Sequence, residues 1–270
     1  LARSRHYLPF MVDDAFISLR YAERLVAGNG LTWTDGERVE GYTNLLWVLC
    51  TAALHALGID LVIAARLLGL LGMTATLLAV VFAHAPPSAR AALPAVIASC
   101  GLALTGPAAV WSIGGMEQPL LAALLAWGIV LCFPLLERAP VKTLEVLLPG
   151  TLLALACLTR PDGVLFAASA CLGILIAVGP GRAALRTAVL LALPSLLACL
   201  GQLLFRLVYY GDWLPNTAYI KLGLTPDRFM QGLAYVGGGA RRLAPLLLPA
   251  AAGLLAGIGD ARDRRRAWLL

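Results

Sequence analysis

Charge is what this sequence has least of. Of its 270 residues, 13% are charged and 60% hydrophobic, whereas a soluble domain carries about 25% charged residues. Apolar runs this poor in charge are membrane-spanning material, so an ordinary soluble domain is not expected. Metal-ligand clusters are missing too. His6, His55 and His84 stand apart. Cys50, Cys100, Cys132, Cys157, Cys171 and Cys199 all lie inside apolar runs with no CxxC pair. A His/Cys metal site has no support, and a disulfide framework belongs to small secreted domains. These cysteines read as small hydrophobes. No Walker A loop, GxSxG, HExxH or Rossmann glycine fingerprint occurs, which argues against nucleotide chemistry. Residues 1–12 include Arg3, Arg5 and His6 and hold no h-region of adequate length, so no signal peptide is expected. Internal repeats and low-complexity segments are also lacking.

What is present is a series of apolar runs, at roughly 43–57, 61–83, 91–106, 118–136, 146–158, 163–178, 187–208 and 243–258. A helix crosses the ~30 Å hydrocarbon core with about 20 residues. The run 43–57 is short and diluted by Tyr42, Thr43, Asn44, Thr51 and His55, so it is expected to lie half-inserted rather than to cross. The other runs then alternate sides. One side receives Arg90, Arg138, Lys142, Arg182, Arg186, Arg262, Arg264, Arg265 and Arg266 in short loops. By the positive-inside rule that side is cytoplasmic. The net charge of +6 therefore reflects topology, not a nucleic-acid footprint. The opposite side receives 1–60, 107–117, 159–163 and 209–242, where every motif-like segment falls.

Residues 14–27 read as an amphipathic helix of the membrane interface. Ala15, Phe16, Leu19, Ala22 and Val26 share the apolar arc, and Asp13, Arg20 and Arg24 the polar one. Gly28-Asn29-Gly30 ends the helix. Asp13 and Asp14 stand at its start, where a carboxylate can take a proton from an attacking hydroxyl. A helix cap with a first-turn acid accounts for the pair as well. Glu117 closes the loop Trp111-Ser112-Ile113-Gly114-Gly115-Met116-Glu117, whose glycines would let backbone approach a ligand. It too reads as a first-turn acid. Arg160, between two short apolar halves, suits a bidentate phosphate contact. An ion pair with Asp162 or snorkelling to headgroups is its structural alternative. The stretch Tyr209 to Lys221 is aromatic-rich; its rings suit sugar faces or an interfacial belt. Arg66 and Arg206, inside apolar runs, are weaker candidates for the same cavity.

Three blocks of this first segment carry a resemblance. They are Val12-Asp13-Asp14-Ala15-Phe16-Ile17-Ser18-Leu19-Arg20-Tyr21-Ala22, then Gly28-Asn29-Gly30-Leu31, then Gly36-Glu37-Arg38-Val39-Glu40-Gly41-Tyr42-Thr43-Asn44. They resemble the first periplasmic loop of GT-C fold glycosyltransferases, in the group of the terminal arabinofuranosyltransferases. Gly115-Met116-Glu117, Thr159-Arg160-Pro161-Asp162-Gly163 and Leu214-Pro215-Asn216-Thr217-Ala218-Tyr219-Ile220-Lys221 are similar to later parts of that pattern. The resemblance covers most of 12–222. It implies an all-α polytopic membrane protein, a GT-C helix bundle with amphipathic juxtamembrane helices. The donor it implies is a polyprenyl-phosphate sugar, with no certain cofactor beyond a divalent cation as an option. The other partners would be membrane lipid and a glycan or other hydroxyl acceptor.

On this reading Asp13 or Asp14 is the general base of an inverting displacement. Arg160 and Lys221 face the donor phosphate, and Arg20, Glu40, Tyr42, Asn44, Glu117, Asn216 and Tyr219 meet substrate. Residues 1–60 form a non-cytoplasmic catalytic loop, 61–258 a bundle of about seven spans, and 259–270 a basic cytoplasmic segment. Family members also carry a span before the Asp pair and more chain after the bundle, both expected to be absent here. The protein is placed in a bacterial plasma membrane, with its site on the non-cytoplasmic face. A transporter or flippase of lipid-linked sugars is the alternative. It predicts polar residues at mid-membrane and broken helices, whereas the polar residues here gather at one face. A non-catalytic scaffold is a third reading.

Overall fold

The computed structural model describes residues 2–83, 89–137, 142–179, 181–221 and 225–257. All the regular structure among them is helical. In chain order the helices are α1 (Ala2–Arg5), α2 (Ala15–Val26), α3 (Leu45–Ala56), α4 (Leu61–Ala83), α5 (Ala89–Leu104), α6 (Gly106–Trp111), α7 (Gln118–Glu137), α8 (Thr143–Thr159), α9 (Gly163–Val178), α10 (Arg182–Tyr209), α11 (Asn216–Lys221) and α12 (Pro226–Gly257). The chain is an all-α polytopic membrane protein. Among the described residues, three helices are long and apolar enough to cross a bilayer: Leu61–Ala83, Gln118–Leu136 and Arg182–Tyr209.

The packing is that of a protein whose solvent is lipid. Helix α4 buries Ala64, Ala65, Gly69, Gly72, Thr76 and Ala79 while Leu67, Leu71, Leu78 and Phe82 stay exposed. Small residues inside and large ones outside is the inverse of a water-soluble helix. It follows because lipid solvates Leu as well as a core does, leaving close backbone approach as the main gain. A Cβ on Gly72 would lie 2.7 Å from the Pro119 carbonyl of α7, and one on Gly150 the same distance from the Leu191 carbonyl of α10. Helices α4, α7, α8 and α10 pack in that succession, with α9 against α8 and α10. Their shared core includes Cys132, Leu136, Leu153, Ile174 and Leu191.

Several sequence expectations meet their outcome here. Residues 43–57 form the short helix α3, which packs on α2 and α4. The runs 146–158 and 163–178 are the helices α8 and α9, joined by the turn at 160–162. Residues 226–242, expected in a loop, are helical and continuous with the apolar segment after them. The basic residues Arg138, Arg262, Arg264, Arg265 and Arg266 lie outside the described residues.

Helix α2 forms where the periodicity places it, and Gly28 and Gly30 beyond it adopt φ of 80° and 71°. Its buried face is rotated from the expected one. Ala15, Ser18, Leu19, Tyr21, Ala22 and Arg24 are buried, and Phe16 and Val26 are exposed. The reason is Arg24, counted on the polar arc from its charge. It is drawn inward because its Nε donates to Thr32 Oγ1 at 2.9 Å and its Nη2 to Asp35 Oδ1 at 2.5 Å.

Candidate active site

The site is built around the turn that starts α2. Asp13 and Asp14 are both exposed. Asp14 is the cap residue, yet its backbone is helical and its side chain makes no capping hydrogen bond. Asp13 Oδ1 accepts from the adjacent Asp14 N–H at 3.0 Å. The turn is held from below instead: Val12 N–H donates to the Gly114 carbonyl at 3.0 Å, and Trp47 Nε1 donates to the Gly115 carbonyl at 3.2 Å. Gly115 has φ of 84°, and a Cβ there would press on Met11 and Ala15. The close approach these glycines permit is therefore to the α2 turn, not to a ligand.

From that loop a polar chain runs through residues distant in sequence. Ser18 and Asn44 bond each other, with Ser18 Oγ 3.0 Å from Asn44 Oδ1. Asn44 Nδ2 donates to Glu117 Oε2 at 2.9 Å. Glu117 Oε1 accepts from Arg160 Nη1 at 2.9 Å, and Arg160 Nε donates to Asp162 Oδ1 at 3.0 Å. Glu117 is 2% exposed and Asn44 5%, and both are met by protein partners. The Asp162 ion pair considered for Arg160 forms, and Glu117 joins it. Burial would lower the Arg160 pKa, but its bonds to Asp162 and Glu117 outweigh that and raise it. The guanidinium side chain remains 35% exposed, and no described residue bonds its Nη2.

A second cluster ties the 30–42 segment to the end of α10. Arg206 clasps the buried Glu40 carboxylate through Nε and Nη2 and donates from Nη1 to the Trp213 carbonyl. It is a buried partner, not a snorkelling side chain. The Glu40 carbonyl in turn accepts from Asn216 N–H at 2.9 Å. Tyr210 gives its proton to the Leu31 carbonyl at 2.8 Å, so Tyr42 must donate across the 3.2 Å contact between their hydroxyls. Burial pushes the Tyr42 pKa well above the usual phenol range, which keeps it a donor. Tyr21 donates to the Val39 carbonyl and accepts from Gly41 N–H. Glu40 and Tyr42 thus face protein, like Asn44 and Glu117. Ser18, Tyr21 and Tyr210 do equal positioning work; as neutral hydroxyls in an apolar pattern they gave little sign of it.

The remaining candidates lie elsewhere. Arg20 pairs with exposed Glu23 at 2.7 Å. Asn216 and Tyr219 are exposed on α11. The side chain of Lys221 lies outside the described residues. Arg66 donates to the carbonyls of Pro9 and Phe10, steadying the approach to the Asp pair. Among the described residues, no group of three His, Cys, Asp or Glu is placed to hold a metal ion.

Over 260 residues the chain is 29% identical to the terminal β-(1→2)-arabinofuranosyltransferase of Mycobacterium tuberculosis strain H37Rv. It is a distant relative of that glycosyltransferase. The match covers 91% of this chain and 40% of the relative's length. No family model and no solved structure matches the chain.

Proposed function

We propose that this chain is the catalytic portion of a membrane glycosyltransferase of the GT-C type, working in cell-envelope glycan synthesis. It would transfer a sugar, arabinofuranose by analogy with the relative's name, from a polyprenyl-phosphate donor to a hydroxyl acceptor. The site would lie on the non-cytoplasmic face of a bacterial plasma membrane, a reading that the charge bias of the sequence supports. The observation that carries the proposal is geometric. Two exposed carboxylates free of capping duty sit on a turn bonded to the loop that ends in Glu117, and Glu117 is bonded to Arg160. A base and a cation thus share one bonded scaffold assembled from α2, α3, α7 and α8.

In the reaction the acceptor hydroxyl attacks the anomeric carbon as the bond from that carbon to the phosphate oxygen breaks. Asp13 or Asp14 takes the hydroxyl proton. The electron pair leaves with the polyprenyl phosphate, and the anomeric centre inverts in a single step. The free edge of Arg160 and the Lys221 ammonium stabilise the departing phosphate.

The test is the pair of substitutions Asp13→Asn and Asp14→Asn, assayed with labelled polyprenyl-phosphate sugar in proteoliposomes. Asn keeps the shape and capping capacity of Asp but cannot take a proton. Loss of a general base costs ~10²–10⁴ in rate. Wild-type transfer by both variants refutes the assignment, and label that crosses the membrane without changing its covalent attachment identifies a transporter instead.

A further inference from the structure

Trp33 stands at the divide between two open clefts. One, of about 420 Å³, is lined by Phe16, Arg20 and Glu23 of α2 and by Asp60 ahead of α4. The other, of about 450 Å³, is lined by Ile17, Thr34, Glu37 and Asn216. The Trp33 side of both clefts is exposed, with 44% of the residue accessible, and no described residue accepts its indole N–H. The ring is nevertheless set in place. Tyr21 lies 6.1 Å away at 45°, and Tyr21 is itself locked by Val39 and Gly41.

Both clefts have apolar walls, from Leu19, Leu61 and Val62 in one and Ile17 and Val39 in the other, with polar groups among them: Arg20, Glu23 and Asp60 in the first and Glu37 and Asn216 in the second. That combination matches a sugar chain. Sugars present polarised C–H faces to the negative face of an aromatic ring, and their hydroxyls seek charged and amide partners around the rim. The Arg20–Glu23 pair is exposed and costs little to open, so both groups are available to hydroxyls.

The first cleft lies along the helix that the proposed base precedes. Phe16, Arg20 and Glu23 are spaced four and three residues apart, which stacks them on one face of α2, and Asp13 stands in the turn that leads into that helix. From Asp13 to Glu23 is ~15 Å at ~1.5 Å per residue. This is the reach of a short oligosaccharide, not of one sugar.

We infer that the Trp33 clefts bind the acceptor as an oligosaccharide, its reacting end at Asp13 and its preceding sugars stacked on Trp33. The inference rests on the glycosyltransferase reading above. It makes Trp33 a determinant of acceptor length.

The experiment is a binding titration, without donor, of the purified protein in nanodiscs. The probes are an arabinofuranosyl trisaccharide and methyl arabinofuranoside. The trisaccharide should bind at least tenfold more tightly. Trp33→Ala should abolish that difference, and Trp33→Phe, which keeps an aromatic face beside Tyr21, should retain most of it, with thermal unfolding unchanged in both. Equal trisaccharide binding by wild type and Trp33→Ala overturns the inference, as does a wild type without length preference. Asp13→Asn separates the two proposals, because it should bind the trisaccharide normally while failing to transfer. Length-selective binding at Trp33 with Asp variants of full activity would sink the catalytic assignment and leave the cleft standing. Lost transfer in the Asp variants with no role for Trp33 would do the reverse.

Discussion

Arg206, in the last turn of the long helix α10, clasps Glu40, a carboxylate only 4% exposed in the segment leading to α3. The two lie 166 residues apart in the chain. Removing one member of such a pair leaves the other charge buried and uncompensated, at a cost of ~3–5 kcal/mol. Arg206→Leu and Glu40→Leu alone should each lower the thermal unfolding midpoint sharply. The double variant should recover much of the loss, because two apolar side chains leave no stranded charge. Additive losses in the double variant would show that the pair does not act as a unit.

Arg160 tests the phosphate assignment. Its Nε and Nη1 are engaged by Asp162 and Glu117, leaving one edge for a ligand. Lys keeps the charge but cannot hold two carboxylates and a phosphate in one plane. Arg160→Lys should weaken donor binding about tenfold or more, the scale of one lost charge-assisted hydrogen bond. Binding of a labelled polyprenyl-phosphate sugar checks this. Unchanged affinity in a folded variant would leave Arg160 a purely structural partner of Glu117.

Topology is checked from outside the cell. Thr34 and Thr225 are both exposed and are assigned to the same side by the charge bias. In a cysteine-free background, Thr34→Cys and Thr225→Cys should both react with an impermeant thiol reagent in intact cells. Reaction of one without the other would overturn the alternation of spans on which the sidedness rests.

The helix contacts make a stability prediction. Gly72→Ala and Gly150→Ala each drive a Cβ to within 2.7 Å of a neighbouring helix's backbone, and overpacking of this kind costs ~1–3 kcal/mol. Gly201 in α10 has nothing within 4 Å of the same position. Gly201→Ala should instead be neutral or gain up to ~1 kcal/mol from helix propensity. Thermal unfolding in one detergent compares all three.

Composition and periodicity were enough for the membrane character, for α2 and its glycine stop, and for the shortness of α3. Those properties depend on residue type and on neighbours within a turn or two, which a linear reading contains. The Asp pair, Glu117, Arg160 and the 209–221 segment were also visible, because charged or aromatic residues stand out against an apolar background. What each one does was decided by tertiary contacts. Asn44, Glu117 and Arg160 bond in series although they come from three separate parts of the chain. Arg24 looked solvent-facing by charge, yet it is buried by partners that sequence spacing does not reveal, and the partner of Arg206 lies 166 residues away. The rotation of the buried face of α2 has the same origin. Its apolar arc is wide enough to admit several orientations, and the Arg24 and Ser18 hydrogen bonds select one, because an unpaired polar group in the interior costs more than an exposed Phe16.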